Sequence, residues 1–176
     1  KNTPQDWKDV IDVNLYGVVN GVTAAYPVMV GQGEGHIINT GSIEGLCPFP
    51  ATVSYAASKY GVVGLSHSLR VEGAAYGVKV SVVCPGFVKT RIFEDSKTID
   101  FDRSQILANF PSDWLGVSAE ECAKIILNGV RKNKDTIVVT PLAKLFWYVN
   151  RIHPPVMQSI MRLGHKFAQK QMQLEN

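Results

Sequence analysis

The chain has 176 residues, of which 45% are hydrophobic and 19% are charged, and its net charge is +3. These values are ordinary for a globular domain and exclude a disordered chain. Lys and Arg are scattered outside the C-terminal tail, which argues against a nucleic-acid-binding surface. Three cysteines and four histidines lie far apart, so we predict neither disulfides nor a metal site, and a reduced cytoplasmic location. No apolar run looks long enough to span a bilayer.

The first predicted helix begins at the N-terminus of the chain. Thr3 is its expected N-cap, with Pro4 at the first helical position and Asp6 at the third. We expect this helix to run to about Val30 and to bend near Pro27. The glycine-rich residues 31–35 then form a turn. They are not predicted to bind phosphate, because they follow a helix and precede a strand, the reverse of the order that a phosphate loop needs.

Two predicted strands enclose the second helix. Residues 36–42 form a short apolar run between glycines, which is typical of a buried strand. A helix is predicted over residues 54–76 and ends at Gly77. The valine-rich residues 78–84 then indicate a strand that is buried on both faces.

The last part of the domain repeats this alternation. Residues 91–117 show no clear period and are predicted to form a long loop. Ser118 and Glu121 form a capping-box pattern for a helix that continues to about Lys132, and residues 135–141 read as a strand. Helices and strands therefore alternate three times, which predicts an α/β fold with a parallel sheet.

The tail, residues 142–176, is predicted to form two amphipathic helices. In one interpretation they pack on the same core or on a partner subunit. In the other they lie on a membrane surface, with an apolar face made of Leu145, Phe146, Trp147 and Tyr148. We expect the packed arrangement, because the helices are only weakly basic.

Tyr55 and Lys59 are spaced for chemistry on one helical face. Residues four apart lie one turn along the same side of a helix. A lysine ammonium near the phenol favours the phenolate and lowers its pKa, which suits a general acid and base. Ser42 lies at the carboxyl end of the preceding strand, where its hydroxyl can bind a substrate oxygen or merely cap a turn.

Four motifs occur together in a diagnostic order. Ser42 lies thirteen residues before the tyrosine of a Y-x-x-x-K motif, an N-x-x-G motif places Asn14 and Gly17 on the first helix, and "PGFVKT" runs from Pro85 to Thr90. Over residues 4–140 the chain resembles the C-terminal two-thirds of a short-chain dehydrogenase/reductase.

The resemblance implies a role for each motif residue. Tyr55 would be the general acid and base, and Lys59 would lower its pKa and bind the nicotinamide ribose. Ser42 would hold the substrate oxygen, and Asn14 would anchor a water that relays protons to Lys59. The cofactor would also meet a stretch of backbone and hydroxyl groups at Pro85, Gly86, Val88 and Thr90.

The resemblance also implies the architecture. We expect a Rossmann-like doubly wound parallel sheet that is incomplete, because the first βαβ half, which carries the glycine-rich phosphate loop in this family, is missing from this chain. Residues 1–141 would form the second half of a dehydrogenase domain and residues 142–176 a helical extension. NAD and NADP cannot be distinguished without the missing half. We expect the isolated chain to be inactive and its sheet to expose an open edge.

The implied function is an NAD(P)-dependent oxidoreductase that interconverts a secondary alcohol and a ketone. The substrate would be hydrophobic, whether steroid-, retinoid- or acyl-like, because the residues expected around the pocket are mostly apolar. These residues are Ser42, Glu44, Leu46, Phe49 and Phe93, with Phe101, Phe110 and Trp114 farther along the chain. The alternative is a non-enzymatic binding or scaffold protein that keeps the fold.

The resemblance implies self-association as well. The helices that carry Asn14 and Tyr55 would pair with those of another copy to form a homodimer or homotetramer. Gly17 and Gly21 lie four residues apart on the first of these helices, and small residues at this spacing let a neighbouring helix approach closely.

Overall fold

The computed structural model describes residues 3–90 and 116–174. Helices alternate with parallel strands, as the sequence predicts. The elements in chain order are α1 (Pro4–Ile11), a π-helical turn (Asp12–Tyr16), α2 (Gly17–Gln32), β1 (Gly35–Thr40), a 3-10 turn (Ile43–Gly45), α3 (Val53–Gly73), a second 3-10 turn (Ala74–Tyr76), β2 (Val78–Cys84), β3 (Val88–Lys89), β4 (Val117–Ser118), α4 (Ala119–Arg131), β5 (Thr136–Val138), α5 (Pro141–Ile152) and α6 (Pro154–Leu174).

The main sheet has three parallel strands in the order β1, β2, β5. Strand β1 pairs with β2 from Gly35 opposite Val78 onwards, and β2 pairs with β5 from Val82 opposite Thr136. Strands β3 and β4 form a separate short parallel pair. The predicted α/β fold with an incomplete parallel sheet is therefore confirmed.

Local signals placed most element ends correctly. The Thr3 hydroxyl accepts from the Asp6 amide at 3.2 Å, which completes the predicted capping box of α1. Gly77 ends the α3 region in the left-handed conformation, with φ of 73°. Two boundaries differ from expectation. Helix α2 continues through Pro27 to Gln32, and Pro141 is the first residue of α5 because the Thr140 hydroxyl caps that helix.

The core lies on both faces of the sheet. Helices α2 and α3 cover one face, where Ile37, Val78 and Val80 are buried against α2 and α3 side chains. Helix α4 covers β2 and β5 on the other face, around Val83 and Val139. Within the described part of the chain no strand pairs with the outer edge of β1. Ile38, on the face of β1 away from α2 and α3, is exposed. The unpaired side of β1 agrees with the expected open edge.

One helix corrects the expectation that no segment is long and apolar enough to span a bilayer. The continuous helical stretch Pro4–Gln32 has 29 residues and a mean hydropathy of 1.2 in its most apolar part. Length and composition alone meet this criterion, which carries little weight for a single helix. Val22, Tyr26 and Met29 of this stretch pack against the sheet, although none of its residues is fully buried.

The tail helices pack on the domain through one side only. Ala143 and Met157 are buried, while Phe146 and Trp147 are partly buried against the core. Leu145 and Tyr148 are exposed. The four residues at 145–148 therefore do not form the single apolar face considered from the sequence, because consecutive residues point about 100° apart around a helix.

Candidate active site

Tyr55 and Lys59 share one face in the first turns of α3, as their spacing predicts. The Lys59 Nζ lies 5.5 Å from the centroid of the Tyr55 ring. It donates to the carbonyl oxygen of Thr40 at 3.1 Å. This bond connects α3 to the carboxyl end of β1, and Lys59 is buried there while Tyr55 is half-buried. The pair thus lies at the sheet edge where open α/β folds bind ligands.

Ser42 follows β1 at the same edge and serves two roles. Its Oγ accepts from the Glu44 amide at 3.2 Å, which caps the short 3-10 turn. Accepting this bond leaves its hydroxyl hydrogen free to donate elsewhere. Ser42 also lies close enough to the Tyr55 phenol for hydrogen bonding to lower the pKa of that phenol. The structure therefore brings Ser42, Tyr55 and Lys59 together.

The pKa of Tyr55 moves in the direction opposite to expectation. Burial raises it, hydrogen bonding with Ser42 offsets part of that rise, and the charge of Glu44 raises it further. Burial also lowers the pKa of Lys59. The lysine lies over the ring face and donates to Thr40, so it does not act directly on the phenol oxygen. In this chain by itself the Tyr55 phenol is held protonated.

Asn14 reaches α3 from a π-helical turn, a distortion that is frequent at functional sites. Its Nδ2 donates to the Ser58 Oγ at 3.4 Å, and the Ser58 hydroxyl donates to the Tyr55 carbonyl oxygen at 2.6 Å. Asn14 is thereby connected to the turn of α3 that carries Tyr55. Its water-mediated link to Lys59 stays a prediction.

Gly45 allows the Ser42 turn to lie directly against α3. A Cβ at Gly45 would be 2.5 Å from the Lys59 carbonyl oxygen, so no larger residue fits without a shift of backbone. The turn is also bound to β2 from the other side. The Gly41 amide donates to Val83 at 2.8 Å, and the Ile43 amide donates to Pro85 at 2.9 Å. These contacts fix where the Ser42 hydroxyl lies.

The "PGFVKT" stretch adjoins this turn through the bond from Ile43 to Pro85. The glycine at position 86 is needed because it has no side chain and not because of its backbone angles. Among the described glycines, positive φ occurs only at Gly33 and Gly77. A Cβ at Gly86 would instead collide with the Thr140 and Ala143 side chains at the start of α5. Val88 then enters β3, and Thr90 is exposed at the end of the described segment.

The residues expected around the pocket differ in their surroundings. Glu44 is half-buried, and its Oε2 accepts from the Thr52 hydroxyl at 2.5 Å. Burial raises the pKa of the Glu44 carboxyl. Leu46 is buried in the core, while the Phe49 ring lies 6.4 Å from that of Phe146. The predicted aromatic residues farther along the chain lie outside the described residues; they are Phe93, Phe101, Phe110 and Trp114.

Two supporting residues were missed by sequence reasoning. Ser58 lies inside the Y-x-x-x-K motif, and a small polar residue on the buried side of a helix is the signal that points to it. Asn150 gives no comparable signal. Its Nδ2 donates to the Leu46 carbonyl oxygen at 2.8 Å, across 104 positions of sequence. This bond connects α5 to the loop that follows Ser42.

Comparison with known proteins identifies the family of this chain. The sequence model of the family described as short chain dehydrogenase matches residues 1–99. SadH of Mycobacterium tuberculosis is 36% identical over 93% of this chain and 60% of its own length. The 3-oxoacyl-[acyl-carrier-protein] reductase FabG of Thermotoga maritima is 37% identical over 70% of this chain and 49% of its own length.

A solved structure shows the same fold. The short-chain dehydrogenase/reductase of Burkholderia phymatum, in complex with NAD, has a TM-score of 0.68 and 27% identity, covering 97% of this chain and 61% of that one. The chain thus spans about half to 60% of the lengths of these curated relatives. The family match covers more than half of the chain and carries the Asn14, Ser42, Tyr55 and Lys59 positions. The chain therefore belongs to the short-chain dehydrogenase family.

Proposed function

We propose that the complete protein containing this chain is an NAD(P)-dependent oxidoreductase that interconverts a secondary alcohol and a ketone. The observation that carries the proposal is the meeting of Ser42, Tyr55 and Lys59 at the carboxyl end of β1. Family membership supports it, and the name of the FabG relative specifies a reductase of 3-oxoacyl groups. We favour a hydrophobic substrate of steroid, retinoid or acyl type.

The proton chemistry follows from the environment of Tyr55. Its raised pKa keeps the phenol protonated, so in reduction it donates that proton to the ketone oxygen and becomes a phenolate. In oxidation the phenolate accepts the alcohol proton. The Ser42 hydroxyl donates a hydrogen bond to the same substrate oxygen and stabilises the charge that develops there. A nicotinamide held at this edge would supply the hydride for reduction and would accept it in oxidation.

The residues at this edge fit the nicotinamide end of the cofactor. Lys59 has three N–H donors, of which one is directed to Thr40, so donors are left for ribose hydroxyls. The Thr90 hydroxyl and the Val88 backbone lie on the adjoining segment, after the turn at Pro85 and Gly86. These groups suit a carboxamide or a phosphate. The choice between NAD and NADP depends on the adenine end, for which this chain carries no phosphate loop.

The decisive experiment compares Tyr55→Phe with Tyr60→Phe in the complete protein. Tyr60 is on the same helix but exposed, so its loss is the matched control. We expect Tyr55→Phe to lower kcat on the order of 10³-fold while cofactor affinity stays nearly unchanged. Lys59→Ala should lower both kcat and the affinity for the cofactor, since it also removes a contact with the cofactor. Stopped-flow hydride transfer at a near-native rate in Tyr55→Phe would remove Tyr55 from the mechanism.

A scaffold function is the alternative, and a substrate panel separates the two. The panel holds a 3-oxoacyl thioester, a ketosteroid and retinaldehyde, each with NADH and with NADPH. Oxidation of either cofactor supports the enzyme and identifies the substrate type. Cofactor binding without turnover of any panel member would favour the non-enzymatic protein.

Assembly and location are also proposals. The homodimer or homotetramer would form through α1, α2 and α3. A reducing cytoplasmic location fits the cysteines, because Cys47, Cys84 and Cys122 are all free and buried. Burial raises the pKa of Cys47 and of Cys84 to about 12, so both remain thiols at neutral pH.

A further inference from the structure

Helix α6 has two faces with different surroundings. Met157 is fully buried, and Met161 and His165 are half-buried, so this side faces the domain. The opposite side carries an apolar row that we name the α6 stripe, made of Val156, Ile160, Leu163 and Phe167. Its spacing of four, three and four residues keeps all four side chains within a narrow sector of the helix.

The α6 stripe is strongly exposed. Leu163 is 68% exposed and Phe167 is 65% exposed, with Val156 and Ile160 above 40%. Contiguous exposed apolar side chains of this size mark an interaction surface more often than an ordinary surface. Nothing in the described part of the chain covers them.

A row of cations runs beside the stripe. Arg162, Lys166 and Lys170 follow one another at four-residue spacing and are exposed. Residues 141–174 contain five Lys and Arg in all and no Asp or Glu. The net charge of the whole chain is only +3, so the rest of the chain is net negative. The positive charge is thus concentrated on the tail.

This charge distribution indicates which partner the α6 stripe binds. A second copy docked stripe to stripe would bring two all-positive surfaces together, and such like-charge contact opposes association. An anionic lipid surface offers apolar chains for the stripe and negative headgroups for the cations, each of which contributes about 1 kcal/mol near such a surface. We propose that the α6 stripe docks this protein on an anionic membrane surface, as an interfacial helix that does not span the bilayer.

The docked orientation has a consequence for the proposed catalytic site. The inner side of α6 and the loop at residues 48–50 enclose an open cleft of about 340 Å³, lined by Pro48, Phe49, Pro50, Gln158, Met161, Arg162 and His165. The same loop connects Ser42 to Tyr55. A membrane bound at the α6 stripe would therefore be separated from the loop of the site by the width of α6, about 10 Å. This consequence rests on the proposed function, but membrane docking itself does not.

Vesicle flotation of the complete protein tests the proposal. The probes are phosphatidylcholine vesicles and vesicles that also contain phosphatidylserine. We expect flotation with the anionic vesicles, release by high salt, and little binding to phosphatidylcholine alone. Leu163→Glu with Phe167→Glu should weaken binding by on the order of tenfold or more, because both the apolar insertion and the charge balance are changed. Leu127→Glu, at an exposed apolar position of α4, is the matched control and should float like the parent.

A second double variant distinguishes loss of membrane binding from misfolding. Lys166→Glu with Lys170→Glu leaves every apolar side chain in place and should also lose anionic flotation. Absence of flotation of the parent protein, or unchanged flotation of both double variants, overturns the proposal. It is also overturned if light scattering shows that Leu163→Glu with Phe167→Glu converts an oligomer into a monomer, since the stripe would then be a contact between copies. Flotation without turnover would leave docking standing and reject the oxidoreductase alone.

Discussion

At the residue scale, the pKa of the Tyr55 phenol depends on burial and on neighbouring groups, chiefly Ser42 and Glu44. Burial keeps the phenol protonated, hydrogen bonding with Ser42 eases its ionisation, and the charge of Glu44 opposes it. Glu44 is held in place by the Thr52 hydroxyl. A carboxylate two residues after the serine is therefore an electrostatic neighbour of the proposed acid and base. Burial, Ser42 and Glu44, and not Lys59, shift the pKa of the phenol in this chain.

Glu44→Gln tests this neighbour. Glutamine keeps an oxygen for the Thr52 hydrogen bond but removes the negative charge that raises the pKa of Tyr55. The phenol then ionises more readily. In the proposed mechanism alcohol oxidation uses the phenolate as base, and its rate rises with pH through this pKa. The pH–rate profile of the complete protein should therefore move to lower pH. Glu34→Gln, in the exposed turn before β1, is the control. An unmoved profile, or one moved to higher pH, would contradict this account.

The central feature at the element scale is the close approach of the Ser42 turn to α3. Gly45 permits that approach, while backbone bonds to Val83 and Pro85 hold the turn from the other side. Asn150 of α5 binds the next part of the loop at Leu46. Three elements that are distant in sequence thus fix the position of one hydroxyl.

Gly45→Ala should destabilise the protein, whereas Gly64→Ala should stabilise it. The added methyl at position 45 meets the Lys59 backbone at 2.5 Å, and overpacking of this kind costs roughly 1–3 kcal/mol. Gly64 lies exposed inside α3 with nothing within 4 Å of an added Cβ, so alanine gains about 0.5–1 kcal/mol through helix propensity. Urea unfolding of both variants measures the two changes. If Gly45→Ala had the same unfolding free energy as the parent protein, the turn would be able to move away from the added methyl without cost, which would contradict this account.

At the scale of the whole molecule, the described residues expose apolar side chains on several elements. These include Ile38 of β1, Val28 and Val71 on helices α2 and α3, Leu127 of α4, Ile152 of α5 and the α6 stripe. The relatives are longer than this chain. The α6 stripe differs from the apolar side chains of α1 to α4 because residues 141–174 contain no Asp or Glu.

The proposed oligomer predicts a specific disruption. Gly17 and Gly21 have open space around an added Cβ, so Gly17→Leu with Gly21→Leu leaves the monomer fold intact. It should nevertheless separate the subunits by keeping a neighbouring helix away from α2. Light scattering of the complete protein at micromolar concentration measures this, with Gly164→Leu on α6 as the control. A complete protein that is already monomeric would defeat the prediction.

Particular residues show how much of the structure could be predicted from the sequence. Thr3, Gly77 and Ser118 mark element ends through interactions with residues a few positions away, and each was predicted correctly. Pro141 was misplaced as a strand end because its meaning depends on whether Thr140 caps the following helix. Tyr55 and Lys59 could be paired from sequence since four residues make one helical turn.

The sequence by itself determined the alternation of helices and strands, the family motifs and the meeting of Tyr55 with Lys59, because these depend on short chain separations and fixed helical geometry. The tertiary structure alone decided the direction of the Tyr55 pKa, the need for glycine at positions 45 and 86, and the bond from Asn150 to Leu46. It also decided which side of α6 is buried. The burial of a side chain and the close approach of two elements depend on many neighbours from distant parts of the chain. No local pattern of residues specifies them.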